Sequence, residues 1–202
     1  MLYFSLIDFS LSPLQIAGNI LTLIGMILFV ISSFCNKKRD ILLFQTGNHA
    51  LSVIGESFLG QISGGIQDGV SIIRNIFILC HKNNKVWNIV FIVLGVVLGT
   101  VFNIVFQLDD PFMIGIGFLP VFASFQYSIV VLLPNMKVPH IKSSLAVSSI
   151  CWCIYGLFSK NYPMAVFNII IFVSSIVSVI IYFVRKKKAV SQEETQEPEN
   201  NV

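Results

Sequence analysis

The sequence predicts an all-α membrane protein with seven transmembrane helices, and three observations predict it. Of its 202 residues, 55% are hydrophobic and 11% charged, whereas a soluble domain of this size carries about a quarter charged residues. The apolar residues come in runs of membrane-crossing length rather than as one stripe of a surface helix. Short polar stretches separate the runs: NKKRD, GQIS, HKNNK, QLDDP, PNMKVPH and SKNY. A mean hydropathy of +0.82 fits an integral domain over residues 1–188.

The predicted spans are 15–34, 41–58, 64–80, 86–106, 112–133, 141–158 and 163–184. Before the first, MLYFSLIDFSLSP has no basic n-region and no small-residue cleavage site, so no removable signal is expected. Span 1 carries Gln15 and Asn19, with Gly18 and Gly25 allowing close helix approach. Span 2 places Gln45, Asn48, His49, Ser52 and Glu56 at i, i+3, i+4, i+7 and i+11, on one helical face. Span 3, GGIQDGVSIIRNIFILC, holds Asp68 and Arg74, the charges deepest in any run. Its polar residues form two lines, one of Gln67, Ser71 and Arg74, the other of Asp68, Ile72 and Asn75.

Span 4 contributes Asn103, and span 5 contains Gly115, Gly117, Pro120 and Gln126. The last two spans offer milder chemistry in Ser144, Ser148, Asn168, Ser174 and Ser175. Trp87, Trp152 and Tyr162, near span ends, suit interfacial belts, with a deeper position as the alternative for Trp152. The tail over 189–202, AVSQEETQEPENNV, is acidic and lacks aromatics, so it is expected to be disordered and cytoplasmic.

Orientation follows from the basic residues, which are retained on the cytoplasmic side. All 13 Lys and Arg except Arg74 and Lys160 fall in loops 1–2, 3–4 and 5–6 or just after span 7. The N-terminus is therefore expected outside and the C-terminus inside. The same distribution makes the formal charge of +3 a property of loops, not a nucleic-acid footprint. The spans divide three, one and three: a triplet over 15–80, a linker helix over 86–106 and a triplet over 112–184. Asn36 with Asn135, and Asp68 with Asn168, fall at matching places. A single linker helix leaves both triplets the same way up, as parallel repeats about an axis along the membrane normal.

Ionisable groups inside a bilayer face protein or water, because lipid cannot satisfy them. At ~1.5 Å rise per residue, Asp68 lies ~6 Å and Arg74 ~15 Å from the outer end of span 3. Span 2 runs the other way. An inner layer of Arg74, Gln45, Asn48 and His49 is expected, with an outer layer of Asp68 and Glu56. The first group, with Asn75 and Asn168, is the candidate substrate site; Asp68 and Glu56 are the candidate coupling pair. For Arg74 and Asp68 the competing role is structural, pinning helix to helix.

No cofactor or metal is expected. Two of the three histidines, His81 and His140, belong to loops, and Cys35, Cys80, Cys151 and Cys153 show no CxxC spacing. Nothing resembles a nucleophile elbow, so no enzyme is predicted.

The segments LQIAGNILTLIGMILFVISSFCNKKRDILLFQ, FLGQISGGIQDGVSIIRN, FLPVFASFQYSIVVL and CWCIYGLF resemble the YgjV-type bacterial inner membrane proteins. The likeness runs from Leu14 to Lys187, and the hairpin followed by Arg74-Asn75 is its most specific piece. It implies a bacterial inner membrane location. The layout is similar to that of the SWEET and PQ-loop transporters, which are built three-one-three. The asparagines by which that wider group contacts substrate would fall near Asp68 or Asn75 and at Asn168. This chain has one intrahelical proline at a comparable place, Pro120, and no Pro-Gln pair, so sugar transport by a proline mechanism is not implied.

The expected function is transport of a small polar metabolite, neutral or anionic, between the triplets. The competing class is a receptor, sensor or assembly factor on the same layout. Besides the lipid bilayer and the metabolite, a second copy of the chain is the partner left open, since one chain this short holds one path.

Overall fold

The computed structural model describes residues 11–34, 38–80, 85–132 and 138–196. Among them are seven helices and no strand: α1 (Pro13–Phe34), α2 (Lys38–Leu59), α3 (Ile62–Leu79), α4 (Lys85–Phe106), α5 (Pro111–Leu132), α6 (Val138–Phe158) and α7 (Tyr162–Gln196). Their ends fall within a few residues of the predicted spans, except at α7. That helix continues to Gln196, eight residues into the stretch (189–196) expected to be disordered. Ala, Val, Gln and Glu sustain a helix, and the first residue that stops one is Pro198. Cys35, Asn36, Lys37, His81, Lys82, Asn135, Lys137 and the tail from residue 197 lie outside the described residues.

Four helices contain stretches long and apolar enough to cross a membrane: Pro13–Ser32, Val86–Phe106, Pro111–Val130 and Tyr162–Arg185. α2 and α3 fall short in hydropathy, not in length, because they carry the polar face and the two deep charges. Local chemistry sets several ends. At α1, Ser12 N donates to Gln15 Oε1 (2.9 Å) and Gln15 N to Ser12 Oγ (3.3 Å), a capping box ahead of Pro13. At α5, Asp110 Oδ1 accepts from the backbone of Phe112 and Met113, both at 3.1 Å.

The bundle is polar inside and apolar outside. Ile20, Ile24, Ile27 and Ile31 on α1, and Ile169, Val173, Ile176 and Ile180 on α7, point outward. The buried set includes Asn48, Ser52, Glu56, Gln67, Asn75, Asn103 and Asn161. Such a surface suits lipid and is the inverse of a soluble domain's. Packing runs α1 on α2, α2 on α3, α3 on α5, α5 on α6, α6 on α7 and α7 back on α1. These six helices close a ring, and α4 lies outside it against α3 and α5.

The α2–α3 and α6–α7 hairpins have the same hydrogen-bond pattern at positions 100 residues apart. Gly60 (φ 70°) and Lys160 (φ 56°) both take the left-handed conformation that ends a helix. Gln61 N donates to Glu56 O, and Asn161 N to Gly156 O, both at 2.8 Å. The hairpins also touch. Asn161 Nδ2 donates to Gln61 Oε1 (3.1 Å), and Gln61 Nε2 to Ser159 O (3.0 Å). Asn19 brings α1 into this plug, donating to Lys160 O and accepting from Tyr162 N, both at 3.0 Å. Gln61 is 2% exposed and Asn161 fully buried, so the hairpin end of the ring is sealed.

Candidate functional site

Below the plug the ring encloses a cavity of about 130 Å³. Every ring helix contributes to its wall, and α4 does not. α2 presents Gln45, Asn48, His49 and Ser52 from the stripe read in the sequence, and α3 presents Asp68, Ser71 and Arg74. Asn168 enters from α7. The structure thus brings together six of the expected site residues: Gln45, Asn48, His49, Asp68, Arg74 and Asn168. It corrects the placement of the other two.

Asn75 lines a second cavity of about 290 Å³ between α2, α3, α4 and α5. It follows Arg74 by one residue, about 100° around the helix, and so faces away from the ring's centre. Glu56 lines neither cavity. Its carboxyl lies over Gly64, whose missing side chain makes the room: a Cβ there would stand 3.0 Å from both carboxyl oxygens.

The expected division into two layers also changes. His49 Nδ1 and Asp68 Oδ1 are 2.9 Å apart, so a residue assigned to the inner layer pairs with one assigned to the outer. Asp68 therefore has an imidazole partner. Arg74 is half-buried, and its Nη1 donates to Ser128 Oγ at 3.2 Å. Among the described residues no carboxylate pairs with it. Arg74, Ser124, Tyr127 and Ser128 border both cavities, so the guanidinium stands in the wall between them.

Two lining residues, Asn48 and Ser52, also carry buried polar atoms. Asn48 Oδ1 and Ser52 Oγ are buried with no hydrogen-bond partner among the described residues. Asn168 donates to its own helix, to Met164 O at 2.8 Å. The arrangement can hold a small molecule with an anionic group. The guanidinium takes the anion through a charge-assisted pair, while Asn48 Oδ1 lies against Gly25 of α1, 3.0 Å from where a Cβ there would stand.

Several wall residues were not singled out in the sequence. Ser124, Tyr127 and Ser128 fall at i, i+3 and i+4 on α5, a spacing that was available to find them. The residue noted there instead, Gln126, ties α5 to α6 by accepting from Ser144 Oγ (2.7 Å) and donating to Ser144 O (2.9 Å). Trp152 takes the deeper of its two expected positions and lines the cavity. Gly18 and Gly25 do meet α2 closely, whereas Gly115 has no atom within 4 Å of a notional Cβ and marks no close approach.

No curated protein and no solved structure matches the chain. A family described as bacterial inner membrane protein, Imp-YgjV, matches it over residues 16–187, and the chain belongs to that family.

Proposed function

We propose that this inner membrane protein transports a small polar metabolite bearing an anionic group, bound in the central cavity against Arg74. The observation that carries the reading is a guanidinium with no acid partner among the described residues, in a cavity walled by α1–α3 and α5–α7. A structural arginine would be expected to have its acid. Here Asp68, the acid that lines the same cavity, pairs with His49.

The remaining features fit alternating access. The matching hairpins support seven spans arranged as two parallel triplets joined by α4, in the manner of the SWEET and PQ-loop layout. Gln61 and Asn161, equivalent positions in the two hairpins, bond to each other, as residues beside a two-fold axis do. The basic loops put the sealed hairpin end outside. The structure then corresponds to an outward-closed state, and rocking one triplet against the other would open the plug.

Two measurements check this. Reporter fusions after Lys85 and Lys188 should read cytoplasmic, and one after Asp110 periplasmic; a periplasmic C-terminus would reverse the assignment of faces. In proteoliposomes, counter-flow across a panel of small carboxylates and phosphates should show saturable exchange for at least one compound. A folded, monodisperse protein that exchanges none of them belongs instead to the receptor, sensor or assembly class.

A further inference from the structure

Glu56 is fully buried, and neither of its carboxyl oxygens meets a donor among the described residues. The neighbouring groups are otherwise engaged. Gly64 N donates to the Tyr155 hydroxyl at 3.2 Å, and Gln61 N donates to the backbone carbonyl of Glu56, not to its side chain. One turn back on α2, Ser52 Oγ is 1% exposed and also unpartnered.

The ionisable surroundings supply no compensating charge. α3 contributes Asp68, one turn beyond Gly64 and paired with His49 of α2. Tyr155 faces the same pocket from α6. α1, packed on the other side of α2, carries no titratable side chain. A bare carboxylate there would lose its hydration without compensation, and Asp68 would repel it besides. The carboxyl needs a cation of its own.

We infer that Glu56 is an occluded binding site for a monovalent cation, a proton or Na⁺, on the sealed side of the central cavity. A proton makes the side chain a neutral acid. Sodium, a hard cation, takes oxygen ligands, for which Glu56 and Ser52 Oγ are the available pair. The site lies just under the Gln61–Asn161 plug, so the movement that unseals the hairpin end exposes it to outside water. The cation would then enter from outside only in that state, and it couples to transport if it is released on the other side. This coupling role rests on the transport reading, but occupancy of the site does not. It also moves the coupling from the expected Asp68–Glu56 pair to Glu56 alone, because Asp68 already has His49.

The test uses the purified full-length chain. Infrared spectra at neutral pH in H2O and D2O should show the carbonyl stretch of a protonated carboxylic acid, lost in Glu56→Gln and kept in Asp68→Asn. If the cation is Na⁺ instead, that band is absent, and NaCl raises the melting temperature above an equal concentration of choline chloride. This rise should vanish in Glu56→Gln and shrink in Ser52→Ala. With neither the acid band nor a sodium-specific rise, Glu56 is an ordinary hydrated carboxylate and the site is wrong.

Should Glu56→Gln fail to accumulate, the Asp68→Asn variant decides. An acid band or sodium-specific rise that persists in it supports Glu56, and its loss overturns the assignment. Cation occupancy in a protein that moves no solute in proteoliposomes would sink the transport reading and leave the site standing.

Discussion

Arg74→Gln should insert and melt close to the parent yet lose nearly all stabilisation by anionic ligands, with Arg74→Lys intermediate. The guanidinium makes one described hydrogen bond, to the neutral Ser128 hydroxyl, so little of the bundle depends on it. A ligand anion, by contrast, would gain a charge-assisted pair in a site of low dielectric. Hydrogen bonds to charged groups contribute about 1.5–3 kcal/mol, and each 1.4 kcal/mol is about tenfold in affinity. Losing such a pair thus weakens binding by roughly 10- to 100-fold. A ligand at 100 times its Kd stabilises the parent by about 2.7 kcal/mol. After a 100-fold loss the same concentration gives about 0.4 kcal/mol, a shift near the limit of detection. Lysine keeps the charge but not the planar fork, so it retains part of the effect. Ser128→Ala is the control: it frees the guanidinium and should preserve binding. Thermal melts of all four proteins against small carboxylates and phosphates read the outcome. If both Arg74 variants melt far below the parent without ligand, Arg74 holds the bundle together and the anion site is wrong.

Much of this site was legible because span 2 wrote it as a periodicity. Gln45, Asn48, His49 and Ser52 recur at helical spacing within an otherwise apolar run, and all four line the cavity. Glu56 continues the same face but lies beyond the cavity's end. Nothing local to span 2 says where the hairpin closes over it, because that depends on Gly64 and Tyr155 from other helices. The His49–Asp68 contact was hidden for a related reason. Counting depth along ideal straight helices places Cα atoms, whereas a pair forms between side-chain tips that reach several ångströms along the axis.

The wall supplied by α5 was missed through composition. A serine or tyrosine in an apolar span has an ordinary explanation in helix packing, so Ser124, Tyr127 and Ser128 drew no notice beside Gln126. The helices themselves were the easiest part. Each apolar run ends in a charged or Asn- and Gly-rich loop, and the membrane permits little but helix within it. The end of α7 is the exception, since a polar composition that argues against a packed core does not stop a helix from continuing beyond the bilayer.

The second large effect is expected where α1 crosses α2. Gly18 and Gly55 face each other so closely that neither tolerates a methyl group. A Cβ on Gly18 would sit 2.7 Å from Gly55 O and 2.9 Å from Leu59 Cγ. A Cβ on Gly55 would sit 2.8 Å from Gly18 O and 2.7 Å from Thr22 Oγ1. The blocking atoms include backbone carbonyl oxygens of the facing helix, which cannot rotate out of the way, so the helices must part. That movement would disturb Thr22, which donates to Gly18 O at 3.0 Å and accepts from Asn161 of the plug at 3.4 Å. Forcing a methyl group into a well-packed site costs typically about 1–3 kcal/mol, against a gain of about 0.5–1 kcal/mol from replacing glycine by alanine in a helix. Gly55→Ala and Gly18→Ala should therefore each melt below the parent, and the double variant should accumulate poorly. Gly115→Ala supplies the comparison, because a Cβ there meets nothing within 4 Å and only the helix gain remains. Melting curves of the purified variants check the order: Gly115→Ala at or above the parent, the two crossing variants below. A Gly55→Ala protein as stable as Gly115→Ala would mean that α1 and α2 do not cross at this distance, and the plug's anchoring through Thr22 would have to be abandoned with it.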